Sequence, residues 1–271
     1  MKARARNIAL KVAYDGTNYH GFQRQTTPIR AVQNVLEAAL AKVCGEAVEL
    51  AAAGRTDTGV HAYGQVVNFF TDGRIPTERL PRAVNGLLPP DIVVSEAWEA
   101  ARDFSARHSA TGKAYVYRME ECRVPNPFTR SYAWQIFQPL DHDAMRAALR
   151  LLEGTHDYSS FRAAGGAPMS PVRTLDTIRL TAGRLSLYIH GTGFLYHMVR
   201  NIVSTAVAVG TGRISQDRFA EIFAARDRRL APPTAPAGGL YLLAVDYDGT
   251  SERSHTDGAG NAAASCDKCR T

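Results

Sequence analysis

A chain of 271 residues with 45% apolar, 8% aromatic and 21% charged residues has room for a sizeable core in one large or two ordinary domains, which excludes wholesale disorder and collagen-like or coiled-coil fibres. Basic residues outnumber acidic ones 32 to 26, a net +6, and 27 of the 32 are Arg, the better fork for phosphate, so the balance favours a polyanionic partner. A GC-rich coding sequence would enrich Arg and Ala in the same way.

Ile8, Leu10, Val12 and Tyr14 alternate with other residues and predict a strand over 7–14. Val32, Val35, Leu36, Ala39, Leu40 and Val43 follow at helical spacing and predict a helix over about 31–44. Val48 to Ala53 and Gln65 to Phe70 read as further strands. Thr77 caps a short helix through about Asn85, and Ile92 to Trp98 is a fourth strand. In the second half, 112–120 reads as a strand and Tyr132 to Phe137 as an added one. Asp141 or Asp143 caps a helix carrying Met145, Leu149 and Leu152, which Gly154 ends. Leu175 to Ala182 and Leu185 to His190 form a hairpin around Gly183. Helices over about Phe194 to Val209 and Ser215 to Ala225 precede a last strand, Leu240 to Tyr247.

The order β-α-β-β-α-β therefore occurs twice. The expected fold class is α+β: two RRM-like or ferredoxin-like halves whose antiparallel sheets form one continuous central sheet around a cleft. The expected division is 1–104 for the half carrying the loop discussed below, 105–248 for the other, and 249–271 as a small, polar, disordered tail. An open sheet of this kind can present a face to RNA.

Cys44 closes an apolar helix pattern and reads as core, and Cys122 stands alone. Cys266-x-x-Cys269 lacks the second pair that a zinc site needs, so the tail is expected to be unimportant. The longest apolar stretch, Ile202 to Val209, is far too short to span a bilayer, and Lys11 and Asp15 interrupt the N-terminal apolar run too soon for a signal peptide. A cytoplasmic protein with reduced thiols is expected.

The segment richest in chemistry is Ala53-Gly54-Arg55-Thr56-Asp57-Thr58-Gly59-Val60-His61-Ala62, read as a loop at a sheet edge between two strands. A carboxylate in such a loop is usually a solvated turn residue. Here the flanking strands are strongly apolar, and Arg55 and His61 put two possible cations near the acid. Two glycines also make it more than an ordinary hairpin turn.

Gly54-Arg55-Thr56-Asp57-Thr58-Gly59-Val60-His61-Ala62 resembles the active-site motif of the tRNA pseudouridine(38–40) synthase family. Tyr14-Asp15-Gly16-Thr17 with Tyr19-His20-Gly21-Phe22-Gln23-Arg24-Gln25 resembles that family's opening segment. Phe104-Ser105-Ala106-Arg107 with Ser109-Ala110-Thr111 leads into Tyr115. Phe194 to Ile202 resembles its second-half helix, and Gly239-Leu240-Tyr241-Leu242 its last strand. The blocks run in order over about residues 7–247, and together they are far more specific than any one of them. Phe22 stands where Trp is expected and Thr58 where Ala is common, and neither removes a reactive group.

The resemblance implies an isomerase that breaks the uridine C1′–N1 bond, turns the uracil and rejoins it through C5, in an RNA partner, tRNA, at anticodon-arm positions 38, 39 and 40. It implies a homodimer and neither a metal nor another cofactor. Asp57 matches the catalytic aspartate, a carboxylate that adds to carbon and later leaves. Such a carboxylate must be ionised and needs a cationic partner, for which Arg200, in the Met-Val-Arg-Asn block, is the candidate. On the helix predicted there, His197, Arg200 and Asn201 border the cleft, although a surface Arg is the ordinary reading. Tyr115 matches the family's active-site tyrosine, which stacks on a flipped uracil or moves a proton. The alternation of Tyr115 and Tyr117 alone equally suits core packing. Arg55 either fills the position that an extruded uridine leaves or holds the loop in shape.

Three other readings meet obstacles in the residues. Asp57-Thr58-Gly59 spells the aspartic-protease triplet, but no second triplet exists and Arg55-Thr56 precede it in place of an apolar strand. A non-catalytic RNA-binding module would be weakened by a lone acid facing RNA. A phosphatase using Asp15-Gly16-Thr17 lacks the paired aspartate, since Ala13 occupies that position.

Overall fold

The alternating apolar residues of the first strand, Ile8, Leu10 and Val12, are fully buried, as are Leu36 and Leu40 of the first helix, in one common core. The computed structural model describes residues 6–26, 28–166 and 168–248. The expected disordered tail, with Cys266 and Cys269, lies outside the described residues. The first half comprises β1 (Arg6–Tyr14), α1 (Val32–Cys44), β2 (Ala51–Ala52), β3 (His61–Thr71), α2 (Leu80–Asn85) and β4 (Ile92–Ala100). The second comprises β5 (Ala110–Glu121), β6 (Trp134–Ile136), α3 (His142–Arg150), β7 (Gly154–Asp157), β8 (Val172–Thr181), β9 (Ser186–Gly191), α4 (Met198–Gly210), α5 (Gln216–Ala225) and β10 (Leu240–Tyr247). No helix among the described residues is long and apolar enough to cross a membrane.

The strands form one open, mostly antiparallel sheet of ten, in the order β4-β1-β3-β10-β5-β9-β8-β7, with β2 on β3 and β6 on β5. The ferredoxin-like order recurs: β4-β1-β3-β2 in the first half matches β10-β5-β9-β8 in the second. A short parallel ladder between β3 and β10, pairing His61 with Tyr241 and Ala62 with Leu242, joins the two.

That seam depends on a strand being shorter than its sequence suggests. Of the strand predicted over Val48 to Ala53, only Ala51 and Ala52 pair, with Asn68 and Val67. Side chains of α1 take the backbone of Leu50 instead: its N–H donates to Glu37 Oε1 at 3.0 Å and its carbonyl accepts from Gln33 Nε2 at 3.1 Å. The truncated β2 covers only part of β3 and leaves its start free for β10. The loop over 53–60 accordingly lies at the seam in the middle of the sheet, a correction to the sheet edge expected for it.

Other boundaries also move. β3 begins at His61, so His61 and Ala62 belong to a strand. Gly154, expected only to end a helix, opens β7 with φ +105°. Asp141 is the cap of α3, its carboxylate accepting from the N–H groups of Asp143 and Ala144. α4 starts at Met198 rather than Phe194, because His197 before it adopts the left-handed conformation, φ 58°.

Candidate active site

The loop 53–60 is bedded on the opening segment. Tyr14 and Thr56 share a hydrogen bond at 2.7 Å, the Phe22 N–H donates to the Thr56 carbonyl at 3.1 Å, and the Gly59 N–H to the Tyr19 carbonyl at 3.3 Å. The loop turns back on itself where the Val60 N–H donates to the Asp57 carbonyl, with Gly59 at φ +78°. A Cβ on Gly21, whose φ is +82°, would lie 2.7 Å from the Thr56 carbonyl oxygen, so that position is closed to other residues by both space and conformation.

Asp57 projects from this loop toward the first turn of α4. Its Oδ2 lies 3.3 Å from Arg200 Nη1 and 3.2 Å from His197 Nε2. The carboxylate side chain keeps 27% of its exposure against 13% for Arg200, so the pair borders solvent and a ligand can reach it. The Arg200 Nε donates to the Ala235 carbonyl at 2.8 Å, which fixes the plane of the guanidinium. Oδ1 of Asp57 has no hydrogen bond or ion pair among the described residues.

Tyr115 on β5 and Leu242 on β10 are paired, and Leu242 pairs with Ala62 of β3, so the tyrosine stands on one face of the seam. Its ring meets Phe194 edge to face at 4.9 Å. The ring is buried and the hydroxyl has no hydrogen-bond partner among the described residues. Burial pushes its pKa up, and the nearby Tyr14 and Asp57 add to the rise, so the phenol is held protonated. Tyr117, the other candidate from the alternation, is fully buried and donates to the Pro236 carbonyl at 2.7 Å, a structural role.

His197 is the site residue that sequence reasoning missed as a partner of Asp57. Burial lowers its pKa most, Arg200 and Arg228 lower it further, and Asp57 works the other way. Its ring stacks on Tyr196 at 3.9 Å. The signal available was its place three residues before Arg200.

The structure brings Asp57, Arg200 and Tyr115 together. It does not join Arg55 to them: Arg55 is exposed and makes no hydrogen bond or ion pair among the described residues. His61, read as a possible cation near the acid, faces away. His61 shares a face with Tyr241, opposite to Ala62 and Leu242, and stacks on the Tyr241 ring at 4.6 Å. Its Nδ1 accepts from the Gly16 N–H, while Nε2 faces the Ser131 and Gly238 carbonyls, so it ties the seam together.

Residues 10–109 and 148–248 match the family described as tRNA pseudouridine synthase. Asp57 and Arg55 fall in the first stretch and Arg200 in the second, with Tyr115 between them. A protein named tRNA pseudouridine synthase A from a Thermoanaerobacter species is 46% identical over 244 residues, 89% of this chain and all of its own. Its namesake from Neisseria gonorrhoeae is 45% identical over 249 residues, 91% of this chain and 94% of its own. Among solved structures, a Cbf5-Nop10-Gar1 complex is similar at a TM-score of 0.35 and 14% identity, covering 74% of this chain and 45% of that one, a likeness too slight to carry an argument. The matches define a pseudouridine synthase, an isomerase that acts on uridine in tRNA. The chain belongs to the tRNA pseudouridine synthase family.

Proposed function

We propose that this isomerase converts uridines at positions 38, 39 and 40 of the tRNA anticodon stem-loop to pseudouridine, with Asp57 as nucleophile, and that it works as a homodimer. The observation that carries the reading is the Asp57 carboxylate: Oδ2 is held by Arg200 and His197 while Oδ1 is left without a partner among the described residues. A carboxylate so oriented keeps one oxygen for addition to carbon. The Asp57 oxygen bonds to C1′ as the C1′–N1 bond breaks with its electron pair going to N1, the uracil turns, and C5 bonds to C1′ as the Asp57 oxygen leaves. The C5 proton is then lost and N1 gains one. The Tyr115 phenol can give its proton to N1, and the phenoxide so formed takes the one lost from C5, while its ring lies against the base. Arg55, exposed and without a partner among the described residues, is available to fill the space of an extruded nucleotide.

The homodimer would spread the tRNA body over both subunits, and its binding would fall steeply with salt as counterions are released. The test is mass-spectrometric mapping of pseudouridine in tRNA treated with the protein and with Asp57→Asn. The expected result is product at positions 38–40 from the wild type only, with tRNA binding kept by the variant. Variant turnover within tenfold of wild type, about 1.4 kcal/mol of barrier, overturns the role of Asp57. Product confined to other uridines overturns the positions, and a fully active monomer by light scattering overturns the dimer.

A further inference from the structure

Beside the loop that carries Asp57, the fold gathers three cations, and none of them has an acidic partner among the described residues. Lys113 on β5 donates from Nζ to the Ala53 carbonyl at 2.7 Å, and that nitrogen lies 3.2 Å from where a Cβ on Gly54 would stand. Lys113 pairs with Gly191 of β9, and Gly191 pairs in turn with Leu175 of β8. Gly191 has no side chain, and the next same-face position along β8 is Arg173. The Arg173 Nε lies 3.6 Å from the Cβ position of Gly193. Arg107, exposed in the segment leading into β5, is close enough for its charge to act on Lys113. Burial and then the charges of Arg107 and Arg173 hold the Lys113 pKa below the ordinary lysine value. Arg173 is likewise lowered, by burial and then by Arg162.

None of Arg107, Lys113 and Arg173 has an ion pair among the described residues, and the hydrogen bonds of Lys113 and Arg173 go to backbone carbonyls. Like charges held together oppose folding unless an anion joins them, and Lys113 and Arg173 are in addition half-buried. The polyanion this enzyme acts on is tRNA, whose strand carries one phosphodiester per nucleotide. A Cβ on Gly54 would stand 3.2 Å from the Lys113 Nζ and one on Gly193 3.6 Å from the Arg173 Nε, so glycine lets each cation lie close against the backbone.

We propose that Arg107, Lys113 and Arg173 form a phosphate site that grips the RNA strand next to the uridine undergoing isomerisation. This rests on the reading that the reaction takes place at Asp57. The site would set the register of the strand over the seam without reading a base, as backbone contacts do.

The test uses full-length tRNA in which single phosphodiesters flanking the converted uridine are replaced, one at a time, by uncharged methylphosphonate. Binding is measured with Asp57→Asn as the background, so that no turnover intervenes. One linkage is expected to weaken binding by about tenfold when neutralised. Lys113→Met, Arg107→Gln and Arg173→Gln should each weaken binding of unmodified tRNA, and each should remove most of the penalty at that linkage. The slope of log affinity against log salt should flatten by about one for each lost contact. Lys113→Met can disturb the loop through the Ala53 carbonyl, so the two arginine variants carry the same comparison on residues that do not touch the loop carbonyl. If every linkage in the window keeps its full penalty in all three variants, the phosphate site is overturned. If Asp57→Asn proves to turn over normally, it is the Asp57 reading that fails, and the coupling at the linkage answers separately.

Discussion

Gly16 lies so close to Val60 that a Cβ on Gly16 would stand 2.0 Å from the Val60 carbonyl oxygen. The Gly16 N–H also donates to His61 Nδ1 at 3.1 Å. The opening Tyr14-Asp15-Gly16-Thr17 block therefore clamps both the end of the loop carrying Asp57 and the first residue of β3. Its carbonyl neighbour is backbone and cannot swing aside. Gly16→Ala is expected to destabilise the protein by about 1–3 kcal/mol through overpacking. In a chain of this size that lowers the melting temperature by about 2–4 °C per kcal/mol. Turnover should fall further than tRNA affinity, because the displaced atoms lead directly to Asp57. Unchanged melting and unchanged turnover would show that the clamp is slack.

His197 combines a left-handed backbone, φ 58°, with a place 3.2 Å from Asp57. Asn tolerates that backbone better than His does but is too short to keep the contact. The groups around the imidazole are Asp57 on the loop, Arg200 on its own helix and Arg228 beyond it, and the balance with burial lowers its pKa from 6.5. A histidine with a lowered folded value contributes stability that is present above its unfolded value and lost as pH falls through the folded one. Wild-type unfolding free energy should therefore decline below about pH 6.5, and His197→Asn should show less of that decline. Its turnover at neutral pH should drop by about tenfold, 1.4 kcal/mol of barrier, with tRNA affinity kept. Chemical denaturation across pH 4.5–8 and single-turnover rates check both, and a variant matching wild type in each removes His197 from the site.

What the sequence made legible follows the range of the interactions concerned. β1 and α1 are read from spacing because their periodic apolar positions, Ile8, Leu10 and Val12 on β1 and Leu36 and Leu40 on α1, are buried in one core. Arg200 was found through its motif, and the structure puts it on Asp57. His197 was absorbed into a helix that began too early, since no periodicity announces a non-glycine residue with positive φ. His61 was misread because its partners, Ser131, Gly238 and Tyr241, are remote in the chain. The short β2 was equally hidden: two side chains of α1, Gln33 and Glu37, take the backbone groups of Leu50 that a ladder would have used. That same substitution opens the seam on which the site is built.

His190 provides a pH effect of the opposite sign, far from Asp57 in sequence and on another strand. Its Nδ1 lies 2.6 Å from Asp176 and its Nε2 2.6 Å from Asp246. Burial works against the charged ring, but the hydrogen bonds to Asp246 and Asp176 outweigh it and raise the pKa above 6.5. A raised folded value gives stability that is fully present below the unfolded pKa and lost as pH rises through the folded one. Thermal unfolding followed from pH 6 to 9 should show a decline toward the alkaline side, and His190→Asn should flatten it. An equally steep alkaline decline in the variant would assign the effect to other groups.

Tyr115 offers the sharpest separation between packing and chemistry. Its ring is fixed by Phe194 at 4.9 Å and by the buried face of the seam, whereas its hydroxyl is bonded to nothing among the described residues. Removing that oxygen should therefore cost the free protein almost nothing, since no hydrogen bond is lost. Tyr115→Phe is expected to melt within a degree or two of wild type and to bind tRNA equally well. If the phenol moves the proton between C5 and N1, kcat should fall by a factor of about 10² to 10⁴ with KM nearly unchanged. Tyr115→Leu, which also removes the ring edge, should in addition weaken binding of tRNA. A Phe variant that turns over at the wild-type rate would confine Tyr115 to stacking, and the proton would then have to leave through another group at the seam, with His197 the nearest titratable side chain to Asp57 besides Arg200.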